Sequence, residues 1–154
     1  MELRKKESYA IQIGAYLKNG DYGKAREMSE RMLEKFPREP LSHFMAAKSC
    51  YFSGDYGNAA EEGKKALGLS EQGRDAVVSA IVAASALFML KKYDEGYELL
   101  IPFRSEDDEV LKKLLLLFSM VTEHGKEAAE FYKELHELNR KAAADFLREL
   151  AEEA

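Results

Sequence analysis

The stretch Gly20-Asp21-Tyr22-Gly23-Lys24-Ala25 decides the fold, because it returns 34 residues later as Gly54-Asp55-Tyr56-Gly57-Asn58-Ala59. A degenerate third copy follows at Lys91-Lys92-Tyr93-Asp94-Glu95-Gly96. A fixed period of this length indicates a chain built from repeated structural units that pack on their neighbours. Apolar residues recur at three- and four-residue spacing throughout, which predicts helices and no strands.

A period of 34 residues with a Gly-Asp-Tyr turn ahead of a small residue resembles the tetratricopeptide repeat (TPR). The resemblance implies an all-α fold, a right-handed superhelical solenoid of helix-turn-helix repeats, here with a C-terminal capping helix. It is strong over residues 6–105 and weak over 106–138, where the Gly-Asp-Tyr stretch is lost. We predict one domain over residues 1–154, with repeats at about 6–39, 40–73, 74–106 and, in degenerate form, 107–139, and a capping helix at 140–153.

Turn and cap residues predict where the helices begin and end. Gly20 can adopt the left-handed conformation that closes the first helix, and Asp21 is expected to cap the second. Pro102 is expected to end or kink the sixth helix. Ser105 is expected to cap the seventh, with Asp108 in the reciprocal position. The predicted helices span about residues 3–18, 22–35, 40–53, 56–69, 74–90, 94–101, 108–122, 126–138 and 141–152. Asn139 is expected to separate the last two, and the alternative is one long helix that runs through Asn139.

Small residues follow each copy of the turn, at Ala25, Ala59 and Gly96. Helix backbones approach closely only where side chains are short, so we expect the two helices of a repeat to cross at these positions. The seventh helix is apolar nearly all round between Leu111 and Phe118. This pattern predicts burial on both sides, either by the C-terminal helix or by a second copy of the chain.

The TPR resemblance implies that the first helices of the repeats line an inner groove. Most inner positions of this chain are large and apolar, and a contiguous exposed apolar patch usually marks an interaction site. The alternative is ordinary packing between helices, because a phase error of one residue would turn Phe44 and Tyr51 inward. The residues predicted to line the groove are Leu41, Phe44, Lys48, Tyr51, Phe52, Ile81, Ser85, Phe88, Met89 and Leu117.

Some members of the family hold the C-terminal carboxylate of a partner with Asn and basic side chains at inner positions. This chain has Gly14, Lys48 and Ser85 where the Asn-type contacts would fall. The resemblance therefore disfavours a carboxylate clamp. Lys48 is expected to be an exposed lysine, with pairing to a carboxylate or stacking over Phe44 or Tyr51 as the alternatives.

Composition argues against several other classes of protein. The net charge of −5 disfavours nucleic-acid binding, which depends on neutralising phosphates. The longest apolar run, residues 114–118, is far too short to span a bilayer, and no signal-peptide core follows the first residues. Cys50 is the only cysteine, so no internal disulfide can form, and it lies on the predicted core face of its helix. We expect a cytoplasmic protein.

No catalytic arrangement is recognisable in the sequence. His43, His124 and His136 lie in different repeats, without the spacing of a metal-binding pair. Neither a phosphate-binding glycine loop nor a nucleophile elbow occurs. We therefore expect no enzyme activity, no metal and no cofactor.

Two functions fit this sequence. In the first, the protein is an adaptor or scaffold whose apolar groove binds an amphipathic helix or peptide of another protein. In the second, it is a structural or regulatory protein that forms a homodimer or larger homo-oligomer through the groove or the C-terminal helices. Both remain open at this point.

Overall fold

The computed structural model describes residues 2–153, with side chains described for residues 5–152. Within that range the chain is all-α, as predicted, with nine α-helices, two 3-10 helices (Ile101–Phe103 and Gly125–Glu127) and no strand. The α-helices are α1 (Glu2–Lys18), α2 (Tyr22–Lys35), α3 (Pro40–Phe52), α4 (Tyr56–Leu69), α5 (Arg74–Met89), α6 (Tyr93–Leu100), α7 (Glu109–Val121), α8 (Ala128–Leu138) and α9 (Arg140–Glu153).

The helices form two compact units whose boundary lies between Leu90 and Lys91. In the first unit α1 to α5 pack in sequence, and α3 also contacts both α1 and α5. In the second unit α6 to α9 pack in sequence. The boundary falls inside the predicted third repeat, residues 74–106, and the extent of the single domain stays a prediction.

The repeated stretch forms the same turn twice. Gly20 and Gly54 adopt left-handed φ angles of 79° and 83°. The amide of Asp21 donates to the Tyr16 carbonyl at 2.8 Å, and the amide of Asp55 makes the equivalent hydrogen bond at 2.9 Å. These bonds define a Schellman motif, which requires a residue that tolerates positive φ. The glycines are therefore the residues that set the period of the chain.

Side-chain capping differs between the two copies of this turn. The Asp55 carboxylate accepts hydrogen bonds from the backbone N–H of Asn58 at 3.4 Å and from the side-chain Nδ2 of Asn58 at 2.7 Å. Asp21 makes no capping bond, so the prediction for Asp21 was wrong. The residue equivalent to Asn58 is Lys24, whose Nζ lies 5.9 Å over the Tyr16 ring instead. Only the second copy has the side-chain donor that reinforces the cap.

Two helices of the second unit, α7 and α9, are capped by side chains of residues with extended backbone, Asp108 and Asn139. The predicted Ser105 cap was wrong, because α7 starts three residues later than a cap at Ser105 requires. The cap is Asp108, whose Oδ1 accepts from the Leu111 amide at 2.9 Å. Asn139 separates α8 from α9 as predicted, since its Oδ1 accepts from the Ala142 amide at 3.1 Å.

The predicted small positions lie at close helix contacts. Ala25 and Ala59 are fully buried. Gly96 faces the ring of Phe118, and a Cβ on it would overlap that ring. Phe118 lies on α7, so this contact joins two predicted repeats and is not the crossing within one repeat that was predicted. The same holds at a position that the sequence analysis missed, because a Cβ on Gly63 would lie 2.8 Å from the Ala83 Cβ. Short side chains let α4 approach α5 and let α6 approach α7.

Helix α7 is the apolar centre of the second unit. It packs against α6 and α8, and its Leu111, Leu115 and Phe118 are fully buried. The C-terminal helix α9 packs against α8. Within the chain, α6 and α8 are the main neighbours of α7. Further cover by a second copy stays a prediction, since Val110, Met120 and Val121 of α7 are each about half exposed. Helix α6 ends just before a 3-10 helix that contains Pro102, as predicted.

Candidate partner-binding site

Nine of the ten residues predicted to line the groove lie on α3 and α5 of the first unit, which contact each other. None of the nine is buried. Phe52 is 48 % exposed and Met89 47 %, and the other seven are partly buried. The tenth, Leu117, is partly buried on α7 of the second unit. We call the nine the α3/α5 face: Leu41, Phe44, Lys48, Tyr51, Phe52, Ile81, Ser85, Phe88 and Met89.

The helical repeat aligns these residues along each helix. Leu41, Phe44, Lys48 and Tyr51 are three or four positions apart, which places them on one side of α3. The start of α3 is fixed by His43, which lies on another side. His43 Nδ1 lies 2.6 Å from a Glu62 carboxylate oxygen on α4, and Nε2 lies 2.7 Å from the carbonyl of Pro37. These contacts orient the α3 side of the face.

A cavity of about 390 Å³ opens where α3 and α5 begin. Its apolar wall includes Leu41, Phe44 and Val78. Leu41 and Phe44 also pack against the buried core around Ile13 and Met32. Both side chains therefore contribute to the core and to the cavity surface.

The rim of this cavity is polar and carries more carboxylates than cations. Lys6 Nζ lies 2.9 Å from Glu39 Oε2, with the Lys6 side chain 18 % exposed. Asp75 is exposed and has no ion-pair partner among the described side chains. Ser79 is 2 % exposed, and among those side chains its hydroxyl likewise has no hydrogen-bond partner. The rim thus holds two carboxylates, one ammonium group and one unused hydroxyl.

Aromatic side chains cluster where α3 ends. Phe52 stacks on Tyr22 with 6.2 Å between ring centroids. The Tyr51 ring makes T-shaped contacts with Phe52 and Tyr56, with 5.6 Å and 5.5 Å between the ring centroids. Burial raises the pKa of Tyr51 above its ordinary value. The two tyrosines outside α3 come from the repeated Gly-Asp-Tyr stretch, so the turn that sets the fold also supplies part of this surface.

Lys48 stacks on an aromatic ring in the middle of the face. Its Nζ lies 5.6 Å from the Phe44 ring centroid, within cation–π range. No carboxylate pairs with it in the described part of the chain. The Ser85 hydroxyl donates to the Ile81 carbonyl at 2.8 Å. Lys48 therefore places a positive charge on the α3/α5 face, but Lys48 and Ser85 do not form a clamp for a carboxylate.

The second unit has a separate polar cluster around Tyr97. The Tyr97 hydroxyl donates to the Glu127 carboxylate, and its ring stacks on His124 with 4.0 Å between centroids. Burial and the adjacent carboxylate raise the pKa of Tyr97 to about 12. This phenol therefore keeps its proton at neutral pH, and its hydrogen bond to Glu127 joins α6 to the segment before α8.

Other candidate chemistry is limited within the described residues. Burial raises the pKa of the Cys50 thiol, which favours a small apolar role over a nucleophilic one. Among residues 2–153 no group of three or more His, Cys, Asp and Glu side chains is arranged to hold a metal ion. Over the same range no helix combines the length and apolarity needed to cross a bilayer.

The sequence analysis missed the residues of the cavity rim. Val78 lies three residues before the predicted Ile81, and Asp75 lies three residues before Val78. Extending the stripe by one or two turns toward the start of α5 would have found both. Lys6 has no such signal, because only the packing of α1 against α3 brings it to Glu39.

Comparison with solved structures identifies the fold. PilF from Pseudomonas aeruginosa matches with a TM-score of 0.74 and 22 % identity, over 96 % of this chain and 69 % of that chain. MamA from Desulfovibrio magneticus RS-1, from residue 41 onward, matches with a TM-score of 0.74 and 16 % identity, over 96 % and 94 %. Both are TPR-containing proteins. No family model and no curated protein matches the sequence. The chain has a TPR-like helical-repeat fold.

Proposed function

We propose that this TPR-like chain is a protein-interaction scaffold, and that its α3/α5 face binds an amphipathic helix or extended peptide of another protein. The observation that carries the proposal is the α3/α5 face itself. Its large apolar side chains recur at helical spacing on two contacting helices, and none of them is buried. Periodic apolar anchors of this kind bind the apolar side of a partner segment.

The energetic gain would come mainly from the exposed apolar side chains. Full burial of a large apolar side chain contributes about 1.5–3 kcal/mol. Phe52 and Met89 are each about half exposed, so a partner covering them would gain about 1 kcal/mol from each. Several such contacts must outweigh the entropy lost on association, which favours a partner that spans both helices. The net charge of −5 favours a protein partner over a nucleic acid.

An affinity pull-down from a lysate of the source organism tests the proposal. The bait is the wild-type chain, compared with a Phe44→Glu/Phe88→Glu variant. Because Phe44 also packs against the core, a Phe52→Glu variant is included, in which a half-exposed ring is replaced. Ile11→Glu is the matched control, since Ile11 is 73 % exposed on α1 and lies outside the α3/α5 face.

We expect wild type and Ile11→Glu to retain the same protein, and the two variants of the face to lose it. Circular dichroism and thermal melting confirm that each bait is folded. Equal retention by wild type and by the folded Phe52→Glu and double variants would place the binding site elsewhere and refute the proposal.

The second candidate is self-association through the second unit. It is favoured by exposed apolar side chains at the end of α7 and on α9, where Met120 is 47 %, Val121 48 % and Leu147 50 % exposed. A homodimer burying these residues would become monomeric in a Val121→Glu/Leu147→Glu variant. Light scattering across a concentration series measures this, and a wild-type chain that stays monomeric at high concentration would exclude it.

A further inference from the structure

We infer that the cavity at the start of α3 and α5 binds an arginine side chain of the partner. The inference rests on the proposed function, because it assumes that the α3/α5 face binds a protein segment. It adds which side chain of that segment enters the cavity. The volume of about 390 Å³ lies within the range of small-molecule pockets and admits one long side chain with its adjoining backbone.

The apolar wall matches the stem of an arginine. Leu41, Phe44 and Val78 provide a surface for methylene groups, which long basic side chains bury readily. The Phe44 ring also offers an aromatic surface, and Lys48 already uses that ring at 5.6 Å. A planar guanidinium stacks on such rings better than an ammonium group does.

The rim supplies acceptors for the guanidinium. Glu39 is already paired with Lys6 at 2.9 Å, so Asp75 is the carboxylate without a described partner. Ser79 lines the cavity and is 2 % exposed as a residue, and its hydroxyl has no hydrogen-bond partner among the described residues. A hydroxyl without a partner in the chain can accept a hydrogen bond from a ligand. One guanidinium can donate to a carboxylate and a hydroxyl at once, and its charge balances the excess carboxylate of the rim.

The same cavity is poorly suited to an anion. The first turns of α3 and α5 carry partial positive charge, which by itself would attract one. However, Pro40 at the start of α3 has no N–H to donate. The carboxylate of Asp75 already occupies the first turn of α5, and Glu39 immediately precedes α3. An anionic group would meet both carboxylates.

NMR titration of the full ¹⁵N-labelled chain tests the inference with three blocked peptides. The first is acetyl-Leu-Arg-Leu-amide, the second has citrulline in place of arginine, and the third has glutamate. We expect the arginine peptide to shift the amide signals of Leu41, Asp75 and Ser79 and to bind about twofold to fivefold more tightly than the citrulline peptide. Asp75→Asn should remove this preference, and Ser79→Ala should reduce it.

The possible results separate this inference from the proposed function. Equal binding of the arginine and citrulline peptides, or tighter binding of the glutamate peptide, would overturn the inference. Absence of shifts at the three amides with every peptide would also overturn it. None of these results affects the pull-down, in which Phe52→Glu tests the face independently of Asp75. Conversely, a preference for arginine that survives Asp75→Asn would place the cation outside this cavity and overturn the inference.

Discussion

Replacing Gly63 by alanine tests whether α4 and α5 approach as closely as the structure indicates. A Cβ on Gly63 would lie 2.8 Å from the Cβ of Ala83 and 3.0 Å from its backbone Cα and nitrogen. The obstacle includes the backbone of a buried helix, so a change of rotamer cannot relieve it. The two helices must move apart, or α4 must shift along its axis.

The expected loss is the difference between two opposing effects. Alanine gains about 1 kcal/mol over glycine in a helix interior. Overpacking a well-packed contact costs about 1–3 kcal/mol, and a backbone contact belongs at the upper end of that range. We expect Gly63→Ala to lower the free energy of unfolding by about 1–2 kcal/mol. For a chain of this length each kcal/mol corresponds to about 2–4 °C in melting temperature.

Equilibrium unfolding in urea measures the effect, with Gly68→Ala as the matched control. Gly68 lies on the same helix, and a Cβ there would meet nothing within 4 Å. The control should therefore be neutral or gain up to about 1 kcal/mol. In the Gly63→Ala/Ala83→Gly double variant the loss should be smaller than the sum of the two single losses, because the methyl–methyl overlap is gone. A Gly63→Ala chain as stable as the Gly68→Ala chain would refute the close approach.

Two further predictions concern the turn after α5 and the cluster around Tyr97. Lys91 has a φ of 61° at the position where the earlier turns have Gly20 and Gly54. Because glycine adopts a positive φ without steric cost, Lys91→Gly should raise the free energy of unfolding by about 0.5–1 kcal/mol. An unchanged or lower denaturation midpoint would contradict this. The pKa of Tyr97 rises on folding from 10.0 to about 12. The Tyr97 phenol therefore contributes fully to the free energy of unfolding below about pH 10, and this contribution is lost as pH rises toward 12. Between about pH 10 and 12 the free energy of unfolding of wild type should therefore fall by up to about 2–3 kcal/mol more than that of Tyr97→Phe. The same pH dependence of this free energy in both proteins would contradict the raised pKa of Tyr97.

The fold was predictable because the repeat concentrates its information in a few backbone-determining residues. Gly20 and Gly54 each fix a positive φ, and the identical turns that result set the period of the helices. Ala25 and Ala59 stand at the same place after each turn, and both are fully buried. The helix boundaries were less predictable after residue 90, where the Gly-Asp-Tyr stretch is degenerate or lost. At the third turn Lys91 replaces glycine, and the start of α7 was misplaced because Ser105 and Asp108 are equally suitable caps in sequence.

The binding site was less predictable, because its decisive contacts are not periodic. The stripe Leu41, Phe44, Lys48 and Tyr51 follows from helical spacing alone. Whether such a stripe is exposed depends on which neighbouring helix covers it, and sequence spacing carries no information on that. The polar rim is further removed still. Lys6 and Glu39 are 33 residues apart and meet only because α1 packs against α3. A repeat sequence therefore specifies the scaffold position by position, whereas the chemistry that selects a partner arises from contacts between helices.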